Sequence, residues 1–553
     1  EALRSASPSD SQLLTRVLLR TGRLDEAARR LEERAAAEQL TPVLTPRAHR
    51  ETHLLLSLVY ALQGRGEDAY TCAREGGRRG VDLRSPFVTA VGHMRVAHAL
   101  GLLPEASRRE QARAQYEAAI AISRELVVPR LIVEASWGLC RVYGYAGDLV
   151  RAEAAATQGI DIATAAGDEW IASLVRVSMG AGLVLAERYE AALEWLTRAL
   201  QGFQECSDAF GACAARLWLA TVRRQQGKHD LLPQLLPAAL AACEDNGYDY
   251  LLTRPTFLGP PDERVFTPLL ILARARGWRS EYAGRLLAVL GLAEATHHPG
   301  YRVRVTTLGG FMVYKGDAAI AANSWRRAKA RQLFQLLLTY RRSGLDRDQI
   351  LEYLWPGMEP AAAGRNFKVT LNTLYQVLEP HRQPGADSAF VHREGTSYCL
   401  RAGADLWLDA ERFAGLVAEA RAARRQSPAR ALALLEEAVA LYKGDYLPDA
   451  LYETWAAAER ERLAVMFLGA ADQLAELYLD SRRFEQAVEV AHRLLAADNC
   501  WERAYRHLML AYHRLGNRGQ IARTYQRCVQ ILREELDVAP TEETTALYAE
   551  LAG

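Results

Sequence analysis

The sequence predicts a mainly α-helical protein in which two arms of repeated helical hairpins flank one small α+β module. Three observations carry this expectation. Residues 1–295 are rich in Ala, Leu, Arg and Glu, with apolar residues at helical spacing. The same turn signature recurs about every 40 residues along that stretch, the period of stacked helix pairs. After Pro299 the apolar period switches to two, and positive charge gathers there.

The hairpin signature reads "GRLDEAARRL" from Gly22, "GRGEDAYTCA" from Gly64, "GDLVRAEAAA" from Gly147, "ERYEAALEWL" from Glu187 and "GKHDLLPQLL" from Gly227. A glycine lets one helix end with positive φ. A polar or acidic residue then opens the next helix, and an alanine four or five positions on lets two helices approach closely. Ala152 and Ala192 are 40 residues apart. "LLTRPTFLGPPDERVFTP" (Leu251 to Pro268) holds four prolines and reads as a loop between late helices, of the kind that forms a surface flap. "THHPG" (Thr296 to Gly300) is the expected domain boundary; His297 and His298 are adjacent and cannot share a helix face for a metal.

The central module is expected over residues 301–403. "RVRVTTLGGFMVYKG" alternates like two strands turning at Gly309-Gly310. Helices are expected from Trp325 to Gly344, from Asp346 to Gly357 with Asp346 as N-cap, and from Gly364 to Pro380. "PGMEPAAAG" (Pro356 to Gly364) is expected as a loop between the last two, and "AFVHREGTSYCLRAG" as a β-hairpin bent at Glu394-Gly395. From about Asp405 the chain reads as helical to its end, residues 404–553. There "SRRFEQAVEV" and "GNRGQIARTY" place Ala487 and Ala522 35 apart, near a tetratricopeptide period.

Composition narrows the function. The 553 residues carry a net charge of only +1, so no global field points to a nucleic acid or a membrane. No apolar run is long enough to span a bilayer, and no signal-peptide pattern opens the chain. The first residue is Glu1, so a piece of a longer protein is expected. The eight cysteines form no C-x-x-C pair and no zinc-ligand spacing; they read as small buried hydrophobes in a reducing cytoplasm. "QQGKHD" around Gly227 lacks the first Gly and the Ser/Thr of a phosphate loop. Neither a nucleophile–base pair nor a metal set stands out, so no catalytic residue, metal or cofactor is assigned and the chain is not expected to be an enzyme.

The charge is nevertheless uneven. Residues 301–403 hold fifteen Lys/Arg against eight Asp/Glu, a local balance of +7 that leaves −6 for the rest of the chain. A phosphate backbone requires such a footprint. Strands, three helices and a C-terminal hairpin are the element order of a winged helix, in which the third helix enters the major groove and the hairpin reaches an adjacent one. On that third helix, Phe367, Leu371, Leu374 and Leu378 form a core stripe. Arg365, Lys368, Val369, Asn372, Thr373 and Gln376 lie on the other side. Asn372 and Gln376 suit an adenine edge, Arg365 and Lys368 guanine or phosphate, Val369 and Thr373 a thymine methyl. Arg393 and Thr396 in the hairpin, Arg347 in the first turn of the second helix beside free N–H groups, and Lys329 in "RRAKAR" complete the DNA-binding set. Trp325 is expected as a core anchor.

"LGGFMVYKGDAAI", "WRRAKARQLFQLLL", "LDRDQILEYLWPG", "AAGRNFKVTLNTLYQVLEP" and "FVHREGTSYCL" resemble OmpR/PhoB-type winged helices of the SARP class of bacterial activators. "LWLDAERF" and "LYKGDYLPDALYETWAAAERERL" look like their bacterial transcriptional activator domain. The hairpin arm of residues 1–295 is similar to the tetratricopeptide-like sensor solenoids of MalT-type regulators. The resemblance implies a cytoplasmic DNA-binding activator with several partners: double-stranded DNA in direct repeats, RNA polymerase, a ligand or protein at the solenoid, and a second copy as homodimer. It also leaves open an NTPase upstream. The other reading is a helical-repeat adaptor that binds partner proteins and no specific DNA.

Overall fold

The computed structural model describes residues 8–40, 51–103, 106–382 and 385–552. It divides into two compact units, Glu1–Tyr301 and Arg302–Gly553.

The first unit is helical: α1 (Pro8–Arg20), α2 (Leu24–Leu40), α3 (Thr52–Leu62), α4 (Gly66–Asp82), α5 (Pro86–Leu100), α6 (Ala106–Glu125), α7 (Pro129–Tyr145), α8 (Leu149–Ala165), α9 (Glu169–Leu185), α10 (Tyr189–Glu205), α11 (Ala209–Gln225), α12 (Leu232–Asn246), α13 (Tyr250–Thr253), α14 (Thr267–Arg276) and α15 (Ser280–Val289). The repeat lies in its turns. Val127, Gly147, Gly167, Glu187, Ser207 and Gly227 all have positive φ, one every twenty residues, so a helix pair spans 40. Five residues beyond Gly22, Gly64, Gly147 and Glu187 stand Ala27, Ala69, Ala152 and Ala192, each fully buried.

The proline-rich stretch is not a surface flap. Thr256, Phe257, Leu258 and Gly259 are buried inside the unit. Phe257 packs on Trp137 with ring centroids 4.7 Å apart and on His98 at 4.4 Å. The loop's carbonyls are spent on the solenoid: Leu258 O accepts from Trp218 Nε1 (2.9 Å), and Gly259 O from Tyr145 Oη (2.8 Å). Read as loop throughout, the stretch in fact begins in α13 and ends in α14, with Pro268 in the first turn of α14; between them the aromatic and aliphatic residues carry the chain inward. The unit also meets itself end to end. Arg20 of α1 pairs with Asp168 at 2.6 Å, and Tyr248 Oη donates to Gly22 O at 2.9 Å.

The second unit opens with β1 (Val303–Thr306), β2 (Met312–Lys315) and β3 (Ala318–Ala319). Then come α16 (Ala328–Thr339), β4 (Leu345–Asp346), α17 (Arg347–Leu354), α18 (Pro360–Leu378), β5 (Val391–Glu394), β6 (Ser397–Leu400) and β7 (Leu406–Leu408). One sheet has the order β3-β2-β1-β7, the other β4-β6-β5. β1 and β2 pair antiparallel across the Gly309 turn, as their alternation predicts. β7 is a correction: residues 406–408, read as leading straight into helix, pair parallel with β1, Val303 opposite Leu406. Three residues are too few for a periodic signal.

α19 (Asp409–Ala423), α20 (Pro428–Leu441), α21 (Thr454–Asp480), α22 (Phe484–Ala497), α23 (Glu502–Arg514), α24 (Arg518–Leu536) and α25 (Glu542–Ala552) follow. Ala487 is fully buried, but Ala522 is only half-buried; Ile521, 34 residues after Ala487, takes the equivalent place. No helix among the described residues is long and apolar enough to cross a membrane.

Candidate nucleic-acid interface

Helix α18 is the centre of the candidate site. It begins earlier than predicted. Pro360 occupies its first turn, and Glu359 caps it by accepting from Ala361 N (3.0 Å) and Ala362 N (2.8 Å). Residues 360–364, expected as loop, are therefore helical, because proline suits a first turn and the alanines after it favour helix. Phe367, Leu374 and Leu378 are buried as expected, joined by Ala363, Thr370 and Val377, while Leu371 is only half-buried. Phe367 meets Tyr398 of β6 edge-on, centroids 5.0 Å apart, which fixes the helix against the hairpin.

The opposite face carries Arg365, Lys368, Val369, Asn372 and Gln376, all exposed. They recur at helical spacing along one side, so one groove can meet them together. Thr373 is the exception. It is 8% exposed, and its Oγ1 donates to Val369 O at 2.9 Å, so it belongs to the core side and cannot touch a thymine methyl. It sits at the border of the two faces, where an apolar stripe alone does not decide which side wins.

The hairpin β5–β6 turns at Gly395, whose φ is +59°. Arg393 is exposed; its Nε donates to Gly395 O at 2.9 Å, and its guanidinium lies 5.7 Å from the Tyr398 ring centre. Thr396 is exposed but already engaged. Its Oγ1 donates to Asp346 Oδ1 (3.0 Å), and its carbonyl accepts from Arg347 N (2.9 Å). The expected free N–H at Arg347 is therefore used to tie α17 to the hairpin. Asp346 is the cap of α17, as predicted, with Gln349 accepting from its backbone N at 3.0 Å. The Arg347 guanidinium is exposed and lies over Gly364, where a Cβ would make that flexible side chain move aside. A cation of α17 thus lies against the start of α18. Lys329 is half-buried.

Not all of the positive balance is available. Arg302 pairs with Asp405 (2.6 Å), Arg331 with Asp449 (2.5 Å), and Arg341 with Glu411 (2.8 Å) and Glu459 (2.9 Å). All four acids lie beyond residue 403, so counting charge within 301–403 overstates the cationic surface. Conversely, Arg326 and Arg327 are exposed beside the Ala322–Trp325 turn that packs on α18, and sequence reasoning kept only Lys329 from that basic run. Trp325 is buried and stacks on Phe334 at 6.2 Å, a core anchor as expected.

Among the described residues one His/carboxylate group is close enough to hold a metal: Glu38, Glu51 and His53. Arg79 lies 3.2 Å from Glu51 and 3.6 Å from Glu38 and already supplies the positive charge.

Residues 408–552 match the bacterial transcriptional activator domain. The match falls on the stretch whose sequence looks like a bacterial transcriptional activator domain. No curated protein matches the chain. The solved structure of Mycobacterium tuberculosis EmbR in complex with low affinity phosphopeptide is similar at 18% identity and a TM-score of 0.40, covering 45% of this chain. This chain spans 65% of that one. A Rap protein complexed with competence and sporulation factor (13% identity, TM-score 0.33, 52% of this chain and 94% of that chain) and human IFIT1 dimer with m7Gppp-AAAA (12%, 0.28, 95% and 90%) are also similar. These superpositions are too loose to carry functional meaning.

Proposed function

We propose that this chain is a sequence-specific DNA-binding transcriptional activator of the SARP type. α18 reads base edges in the major groove through Arg365, Lys368, Val369, Asn372 and Gln376. Arg347 and Arg393 contact phosphates or the neighbouring groove, and Lys329 the backbone. The helical first unit senses a ligand or partner and adjusts that reading. The chain acts in the cytoplasm by binding and not by catalysis, as a homodimer on direct repeats that recruits RNA polymerase. The observation that carries the reading is the exposed cationic and amide face of α18, set beside a hairpin and followed directly by a bacterial transcriptional activator domain.

Selection of bound duplexes from a random pool tests it. A common motif should emerge, and log K for it should fall by about 0.9 per phosphate contact for each decade of salt. A chain that retards no duplex would be the partner-binding adaptor instead.

A further inference from the structure

The first unit contains a cavity of about 630 Å³ between α1, α3, α5, α7 and α9. That is the size of a pocket for a small organic molecule. Its apolar wall includes Leu55, Leu58, Phe87, Val91, Trp137 and Trp170. Leu13 and Val17 of α1 also line it and are exposed, so it is reached from solvent past α1. An apolar body that displaced water from this wall would gain the free energy of withdrawing apolar surface from water.

Charge supplies the second half of the argument. Four arginines line the cavity, Arg16, Arg20, Arg95 and Arg130, against two carboxylates, Glu134 and Asp168. Arg20 is paired with Asp168. Glu134 is shared, 2.8 Å from Arg95 and 4.0 Å from Arg130. Arg95 is only 4% exposed; its other contact is His98 Nδ1 at 3.3 Å, and its Nε has no hydrogen-bond partner. With Glu134 held closely by Arg95, the exposed Arg130, 4.0 Å away, is the cation of this wall left to meet an acceptor that carries negative charge.

We infer that this cavity binds an amphipathic small-molecule anion, with an aromatic or aliphatic body against Trp137 and Trp170 and an acidic group held by Arg95 and Arg130. The inference rests on the proposal that the first unit senses a ligand, and names the ligand's class. Because α1 closes one wall and its Arg20 reaches α9, a bound molecule joins α1 to α5 and α7.

The test uses the full chain and two probes of one skeleton: 1-anilinonaphthalene-8-sulfonate, and neutral N-phenyl-1-naphthylamine, which lacks the sulfonate. Fluorescence titration should show one saturable site that prefers the sulfonate by about tenfold, the value of one charge-assisted hydrogen bond. Arg95→Met should abolish the preference. Arg130→Gln, at an arginine whose side chain is more than half exposed, should reduce it. Equal binding of the two probes, or an unchanged preference in a folded Arg130→Gln protein together with Arg95→Met, overturns the inference. Duplex binding is read separately: saturable sulfonate binding with unaltered DNA affinity would leave the pocket standing and remove its sensing role.

Discussion

Lys368 and Asn372 stand about one helical turn apart on the exposed face of α18, and their side chains suit different parts of a duplex. An ammonium is a point charge that suits a phosphate, whereas an amide donates and accepts at a base edge. Lys368→Ala should therefore weaken binding to every duplex alike. Asn372→Ala or Gln376→Ala should relax preference at one or two base pairs, by about 1–3 kcal/mol each. Thr373→Ala, at a buried position, should lower stability by less than about 2 kcal/mol and leave base preference untouched. Quantitative retardation on selected and random duplexes, with chemical unfolding beside it, separates these outcomes. The exposed polar face was legible in the sequence because polar residues recur at helical spacing. Thr373 was not, because a threonine presents a methyl and a hydroxyl and can satisfy either side.

At the scale of elements, α18 depends on how its first turn is closed. Glu359 accepts two backbone N–H groups with its two carboxylate oxygens, which leaves Pro360 free to start the helix without a donor. Glu359→Ala should cost about 1 kcal/mol, read as a lowered midpoint of urea unfolding of the second unit, with base preference unchanged because no reading residue moves. The hairpin was legible from alternation around Glu394-Gly395. What it holds was not: Thr396 in the hairpin turn and Arg347 connect the hairpin to α17, a link between residues roughly fifty positions apart that no local pattern records.

At the scale of the whole second unit, the strand-bearing module and the helices that follow it interlock. Asp409 accepts from Thr307 N, Thr307 Oγ1 and Leu308 N at 2.6–2.9 Å, tying α19 to the end of β1. Glu459 of α21 binds Arg341 at the end of α16, whose side chain is 5% exposed. Burial pulls the Glu459 pKa upward, but hydrogen bonds from Arg462 and Arg341 outweigh it and hold the carboxyl below its ordinary 4.5. A carboxylate with a depressed folded pKa stabilises the unit above its unfolded value. That contribution should disappear as pH falls below about 4.5 through the lowered folded value. Glu459→Gln should cost about 3 kcal/mol at neutral pH by leaving Arg341 under-compensated, and should shrink the acid sensitivity. Unfolding midpoints at pH 7 and pH 4 for both proteins check this.

The sequence by itself determined the helical arms, the strand-bearing module between them, its cationic bias and most of the exposed face of α18. Each of these is a local matter of periodicity, turn residues and composition. Only the tertiary structure decided that the proline-rich loop is core, that Thr373 faces inward, that β7 completes the first sheet and that three module arginines are neutralised by acids of the following domain. Those outcomes depend on which distant groups meet when apolar surface is withdrawn from water, and a one-dimensional pattern does not contain that pairing.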